Sequence, residues 1–85
     1  MSKHGKTLAR IQTKPTPADI RWDDLKNMLE SMGFKYLKKS GSRRKFFHAQ
    51  TQTLISCHEP HPDPCVDKGC INDVVDTLKV NGFIQ

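Results

Sequence analysis

The 85-residue sequence has no long apolar run, which excludes a membrane-spanning helix. Apolar residues make up 35% of the chain and occur in short stretches, whereas a bilayer span needs about 20 in succession. No apolar segment follows the first basic residues, so we expect no secretory signal peptide. A chain of this length is predicted to form one small domain with a thin core.

Cysteine is scarce, and its three residues cannot all be paired within one chain. We therefore expect a reduced, cytoplasmic protein rather than a disulfide scaffold. A small zinc-binding protein is an alternative, because Cys57, His58, His61, Cys65 and Cys70 are possible ligands. Their spacings are irregular, however, and the adjacent Cys57 and His58 point to opposite faces of a strand. We therefore predict no metal and no cofactor.

Acidic residues are absent from two segments, and both segments are strongly basic. Residues 1–17 carry a charge of +4 and residues 35–45 a charge of +6, in a chain whose net charge is +5. Positive charge concentrated in this way favours a polyanionic partner, with nucleic acid first and an acidic protein second. A solvated basic surface without a binding function is the remaining interpretation.

The spacing of apolar residues predicts an α+β fold in the order helix, three strands, helix. Residues 1–15 lack apolar periodicity and lead into a Pro-Thr-Pro segment, so they predict a flexible or extended basic arm. Amphipathic helices are predicted over 21–32 and about 68–80, the second with Asp67 as a possible cap. The helical residues expected in the core are Trp22, Leu25, Leu29, Ile71, Val74, Val75 and Leu78.

Three short strands are predicted at about 34–39, 43–48 and 53–58, joined as an antiparallel meander. Both helices must then cover one face of this sheet, because no other element is available to bury it. His4 and His48 are interpreted as ordinary surface residues.

Several short motifs, in this order, resemble the HicA toxin family. They are Gly33-Phe34, Gly41-Ser42, His58-Glu59-Pro60-His61-Pro62 and Asn81-Gly82-Phe83-Ile84. The resemblance covers about residues 16–84, and it implies a HicA-like toxin domain over 16–85. The fold it implies is similar to a double-stranded-RNA-binding domain, α-β-β-β-α, with two helices on one face of a three-stranded antiparallel sheet.

The same resemblance implies a function. HicA-like proteins are mRNA-cleaving toxins of type II toxin–antitoxin systems, which arrest translation and growth and are neutralised by a HicB-like antitoxin. The implied protein is a cytoplasmic, metal-independent endoribonuclease, monomeric when free and hetero-oligomeric with its antitoxin. A non-catalytic RNA-binding module is the alternative. Duplex RNA is a poor fit, because the start of the last helix has one basic residue, Lys68, among acidic ones.

One position departs from the family pattern. Its members typically have a histidine, assigned as catalytic, directly after the Gly-Ser turn, where this chain has Arg43. An arginine can hold phosphate but stays protonated, so it cannot act as a base. Proton transfer near neutral pH then needs another histidine, and we predict His61 or, failing that, His58. A structural part for His61, with its ring bonded to the backbone, is the equally weighted alternative.

The remaining site residues are predicted from charge and topology. In an antiparallel meander the end of the third strand lies beside the start of the second, so His58 is expected next to Arg43. The residues predicted to bind RNA around this point are Lys39, Ser42, Arg44 and Lys45.

Overall fold

The computed structural model describes residues 3–38, 41, 43–60 and 62–84. The helices are α1 (Lys3–Ile11), α2 (Trp22–Ser31) and α3 (Lys68–Val80), and the strands are β1 (Lys35–Lys38), β2 (Arg43–His48) and β3 (Thr53–His58). The strands form one antiparallel sheet in the order β1-β2-β3. The α+β fold class, the meander and the two amphipathic helices are confirmed, with bounds within two residues of those predicted.

Helix α1 corrects the prediction that residues 1–15 are a flexible or extended arm. It packs against α2 and α3, and Ile11 is only 1% exposed within the core. The helix is strongly amphipathic but poor in apolar residues, since Leu8 and Ile11 form its apolar face. A helix this short is stabilised by packing rather than by its own propensity, so a periodicity argument underestimates it.

Helices α2 and α3 supply most of the core. Each buries one face, and all seven of the predicted core residues are buried. The carboxylate of Asp67 accepts a hydrogen bond of 3.1 Å from the backbone N–H of Cys70, so the predicted cap of α3 is confirmed. None of the described helices is long and apolar enough to cross a membrane.

The two faces of the sheet differ sharply. Along β3, Thr53, Ile55 and Cys57 are buried and the residues between them are exposed. The inner face of β2 carries Arg44, Phe46 and His48, which are buried, and its outer residues are exposed or half-buried. We call the outer surface of these two strands the open face; it comprises Arg43, Lys45, Phe47, Leu54, Ser56 and His58.

His48 corrects the interpretation of this residue as a surface histidine. It is only 9% exposed, and its ring packs against Phe34 and Phe83, with centroids 5.3 and 4.9 Å away. Its Nδ1 lies 2.9 Å from the hydroxyl of Thr51. The reason is strand parity, because His48 follows Phe46 by two residues and therefore shares its inner face.

The segment between β3 and α3 is fixed against the start of α2. Arg21 and Cys65 form an isolated antiparallel bridge. Trp22 donates its N–H to the carbonyl of Pro64 at 2.9 Å, and Val66 donates to the carbonyl of Ile20 at 2.7 Å. The end of the proline-rich segment nearest to α3 is therefore anchored to the residues around the start of α2.

Candidate active site

The candidate site lies where β2 begins and β3 ends. Arg43 and His58 are direct partners in the antiparallel register, and both are exposed on the open face. The predicted neighbourhood of these two residues is thus confirmed. Lys45 lies two residues further along the same face, opposite Ser56. Alternation along the strands therefore brings a guanidinium, an ammonium and an imidazole to one end of one surface.

A surface cavity of about 310 Å³ accompanies this cluster. Its lining residues are Arg43, Arg44, Lys45, Ser56, Cys57 and His58. Arg43 and Lys45 are the lining cations that lie on the open face, so an anionic group entering the cavity meets positive charge. A phosphate is the anion whose geometry an arginine guanidinium matches in bidentate fashion.

Arg44 lies on the inner side of the sheet rather than on the open face. Its Nε donates to Oε1 of Glu59 at 2.9 Å, and its Nη1 donates to the carbonyls of Gly41 and Arg43 at 2.7 and 2.8 Å. The side chain is 9% exposed, whereas that of Glu59 is 40% exposed. This buried guanidinium joins the β1–β2 turn to the residue that follows His58.

The Arg44–Glu59 pair is the part of the site that sequence reasoning missed. Alternation along β2 places Arg44 on the same face as Phe46, and a buried guanidinium requires a partner carboxylate. Glu59 follows directly after β3, so the meander brings it close to the start of β2. These two signals together were sufficient to predict the pair.

The backbone conformation at position 41 explains why a glycine is found between β1 and β2. Its φ of +65° lies in the left-handed region, which glycine enters without steric cost. The Arg44 guanidinium donates a hydrogen bond to the carbonyl of Gly41, which holds Gly41 close to β2. Three predicted site residues, Lys39, Ser42 and His61, lie outside the described residues.

The described part of the chain contains no candidate metal site. No group of three or more His, Cys, Asp or Glu side chains there is arranged to hold a metal ion. Cys57 is buried while His58 is exposed, because successive residues of a strand face opposite ways.

The comparison with protein families identifies the chain. Residues 22–83, which are most of its length, match the model of a family described as the HicA toxin of bacterial toxin–antitoxin systems. The chain belongs to the HicA toxin family. Searches of curated proteins and of solved structures gave no match. The matched range begins with α2 and ends after α3, so it contains the whole HicA sheet and leaves α1 outside.

Membership of the HicA family gives the site its biological setting. The family consists of toxins from toxin–antitoxin systems, and a toxin of this kind has an antitoxin as its partner. Its paired Arg43 and His58 lie within the matched range.

Proposed function

We propose that this HicA toxin is an endoribonuclease that cleaves mRNA without a metal ion. The observation that carries the proposal is the register pairing of Arg43 with His58 on the open face, beside a basic cavity. A group that binds phosphate and a group that moves protons are the two components that RNA cleavage requires at one place.

The reaction follows from these groups. A base removes the proton of a ribose 2′-hydroxyl, and the 2′-oxygen attacks the adjacent phosphorus. The bond from phosphorus to the 5′-oxygen breaks, an acid protonates that oxygen, and a 2′,3′-cyclic phosphate remains. His61 and His58 are the proposed proton-transfer groups, and Arg43 holds the phosphate and stabilises its charge in the transition state.

The remainder of the open face is proposed to hold the RNA strand. Lys45, with Lys39 and Ser42 as predicted from the sequence, contacts phosphates along the approach to the cavity. Phe47 and Leu54 are register partners further along the face and offer an apolar surface on which a base stacks. Arg44 bonds to Glu59 and to two backbone carbonyls, which favours a role in positioning the site. The sequence had instead predicted a direct contact between Arg44 and RNA.

The antitoxin is proposed to be HicB-like and to act by covering the open face. That face combines exposed cations with the 49% exposed Leu54, so a partner with acidic and apolar groups matches it. Covering it excludes mRNA from the cavity. We propose that the toxin acts in the cytoplasm and is monomeric until the antitoxin binds.

A non-catalytic RNA-binding module remains the second candidate, because the position at which the HicA family has its histidine is Arg43. The deciding assay incubates the purified chain with end-labelled mRNA in parallel samples with and without EDTA. Cleavage to a 2′,3′-cyclic phosphate supports the proposal, whereas binding without cleavage supports the second candidate. Loss of cleavage on adding EDTA overturns the metal-independent mechanism.

Variants then assign the proton transfer. His58→Ala and His61→Ala, singly and together, are compared with His4→Ala, a histidine on α1 outside the matched range. The double variant is expected to lose cleavage by about 10²–10⁴-fold, as for loss of general acid–base groups. Full activity in the double variant would reject both histidines.

A further inference from the structure

Two cysteines meet behind the candidate site, on the inner side of the sheet. The Sγ atoms of Cys57 and Cys70 lie 2.9 Å apart and share a hydrogen bond. Cys57 is buried on β3, and Cys70 is half-buried in the first turn of α3. Both are free thiols. A further approach of about 0.9 Å would bring the sulfurs to the length of a disulfide bond.

The two thiols differ in acidity. Their shared hydrogen bond, followed by burial, raises the pKa of Cys57 strongly. The same hydrogen bond lowers the pKa of Cys70, against the opposing effects of burial and the carboxylates of Asp67 and Asp73. Cys70 is also at the N-terminus of α3, where the helix dipole favours a thiolate. Cys70 is therefore the more acidic thiol of the pair and the one that acts as the nucleophile.

Cys70 is also within reach of a small reagent. A second surface cavity of about 270 Å³ is lined by both cysteines together with Ser56, His58, Asp67, Gly69 and Asp73. The third cysteine, Cys65, is separate from this pair and lies at the bridge to Arg21. Partial burial and the neighbouring Asp63 carboxylate raise the pKa of its thiol, so Cys65 is less reactive.

We propose that Cys57 and Cys70 are a site of reversible disulfide formation that ties the end of β3 to the start of α3. The oxidant is a low-molecular-weight disulfide such as oxidised glutathione. The Cys70 thiolate attacks one of its sulfurs, the S–S bond of the reagent breaks, and one thiolate leaves. The mixed disulfide removes the hydrogen bond that holds the proton on Cys57.

Cys57 then loses its proton to solvent and attacks Sγ of Cys70, which expels the second small thiolate. The protein loses two electrons and two protons, and the reagent is reduced to two thiols. The new bond closes a loop that contains His58 and the proline-rich segment. Disulfide formation is independent of the proposed ribonuclease activity, and it is tested without RNA.

The test treats the full chain with oxidised glutathione or with a dithiol reductant, followed by intact mass, peptide mapping and thermal unfolding. We expect an internal Cys57–Cys70 bond, a mass lower by two hydrogens, and a Tm higher by on the order of 10 °C, because the loop is restrained in the unfolded chain. The reductant should reverse all three changes.

Cys65→Ser is the matched control and should retain the oxidant-dependent rise in Tm, whereas Cys70→Ser should lose it. Cys70 is half-buried, so its serine variant is expected to fold. Peptide mapping of the unaltered chain tests which cysteines are bonded even if that variant does not fold. A disulfide that includes Cys65, a glutathione adduct that persists on Cys70, or a chain that stays fully reduced would overturn the proposal.

Discussion

The two ends of the β2–β3 ladder carry a histidine each, and the two histidines lie in opposite environments. At one end His48 pairs with Thr53 in the register, and its ring is enclosed by Phe34 and Phe83. At the other end His58 pairs with Arg43 and is exposed beside a basic cavity. We call these the aromatic end and the basic end. Strand parity alone separates them, since one histidine falls on the inner face and the other on the open face.

The comparison separates residues that stabilise the fold from residues that we propose to act on RNA. At the aromatic end, the ring of His48 closes the core, and its Nδ1 is occupied by the turn that follows β2. At the basic end, the cations on the open face are available to a ligand, and the buried Arg44 fixes the turn behind them. Substitutions at the aromatic end should therefore change stability, and those at the basic end should change activity.

The largest effect is expected from a core residue of α3 that bonds to the aromatic end through its backbone. Leu78 is fully buried in α3, and its carbonyl accepts the N–H of Phe83 at 2.9 Å. Leu78→Ala should lower the free energy of unfolding by about 2–5 kcal/mol through lost burial and a cavity. Denaturant unfolding measures this loss. A variant as stable as the parent would contradict the observed packing of α3.

The next effect separates the two histidines directly. His48→Ala should lower the free energy of unfolding by about 2 kcal/mol, because two ring contacts and buried area are lost. Its cleavage per folded molecule should be unchanged. His58→Ala should show the reverse, with a stability change within about 0.5 kcal/mol, as for other surface substitutions. Equal losses of stability in the two variants would remove the distinction between the ends.

Two glycines offer a smaller, matched test. Gly33, near the aromatic end, has φ of +99°, and a Cβ there would lie 3.1 Å from Nε2 of His48. Gly41, near the basic end, has φ of +65° with open space around it. Gly41→Ala should cost about 1–2 kcal/mol for the left-handed backbone alone. Gly33→Ala should lower the free energy of unfolding by more, since the close contact with His48 is added. Equal losses in the two variants would show that the His48 ring moves away without cost.

The smallest effect concerns the salt dependence of the RNA binding that we propose at the basic end. Replacing Arg43 or Lys45 with Ala should reduce the slope of log affinity against log salt by about 0.7 per cation on single-stranded RNA. Lys79→Ala, an exposed cation on α3, is the control and should leave the slope unchanged. Filter binding at several salt concentrations measures the slopes. An identical slope for all three variants would remove Arg43 and Lys45 from the RNA surface.

The sequence predicted the strands, the two larger helices and the meeting of Arg43 with His58, because these depend on local periodicity and on the return of an antiparallel strand. It did not predict α1, whose two apolar residues become significant only when α2 and α3 cover them. The environment of His48 was also missed, although its place in the alternation was known, because Phe83 reaches it from the far end of the chain. Predicting the partner of Arg44 required the alternation of residues along β2 and the topology of the meander together.

The position of α1 has a consequence for synthesis of the chain on the ribosome. Helix α1 packs partly against α3, and the carbonyl of Ile20 accepts a hydrogen bond from Val66, so early parts of the chain depend on segments that are translated late. Contacts between distant parts of a chain form late, and small domains fold as units. The nascent toxin therefore completes its core only after α3 has left the ribosome. A translation product that stops before α3 would lack the helix that packs against α1 and would become a substrate for cellular proteases.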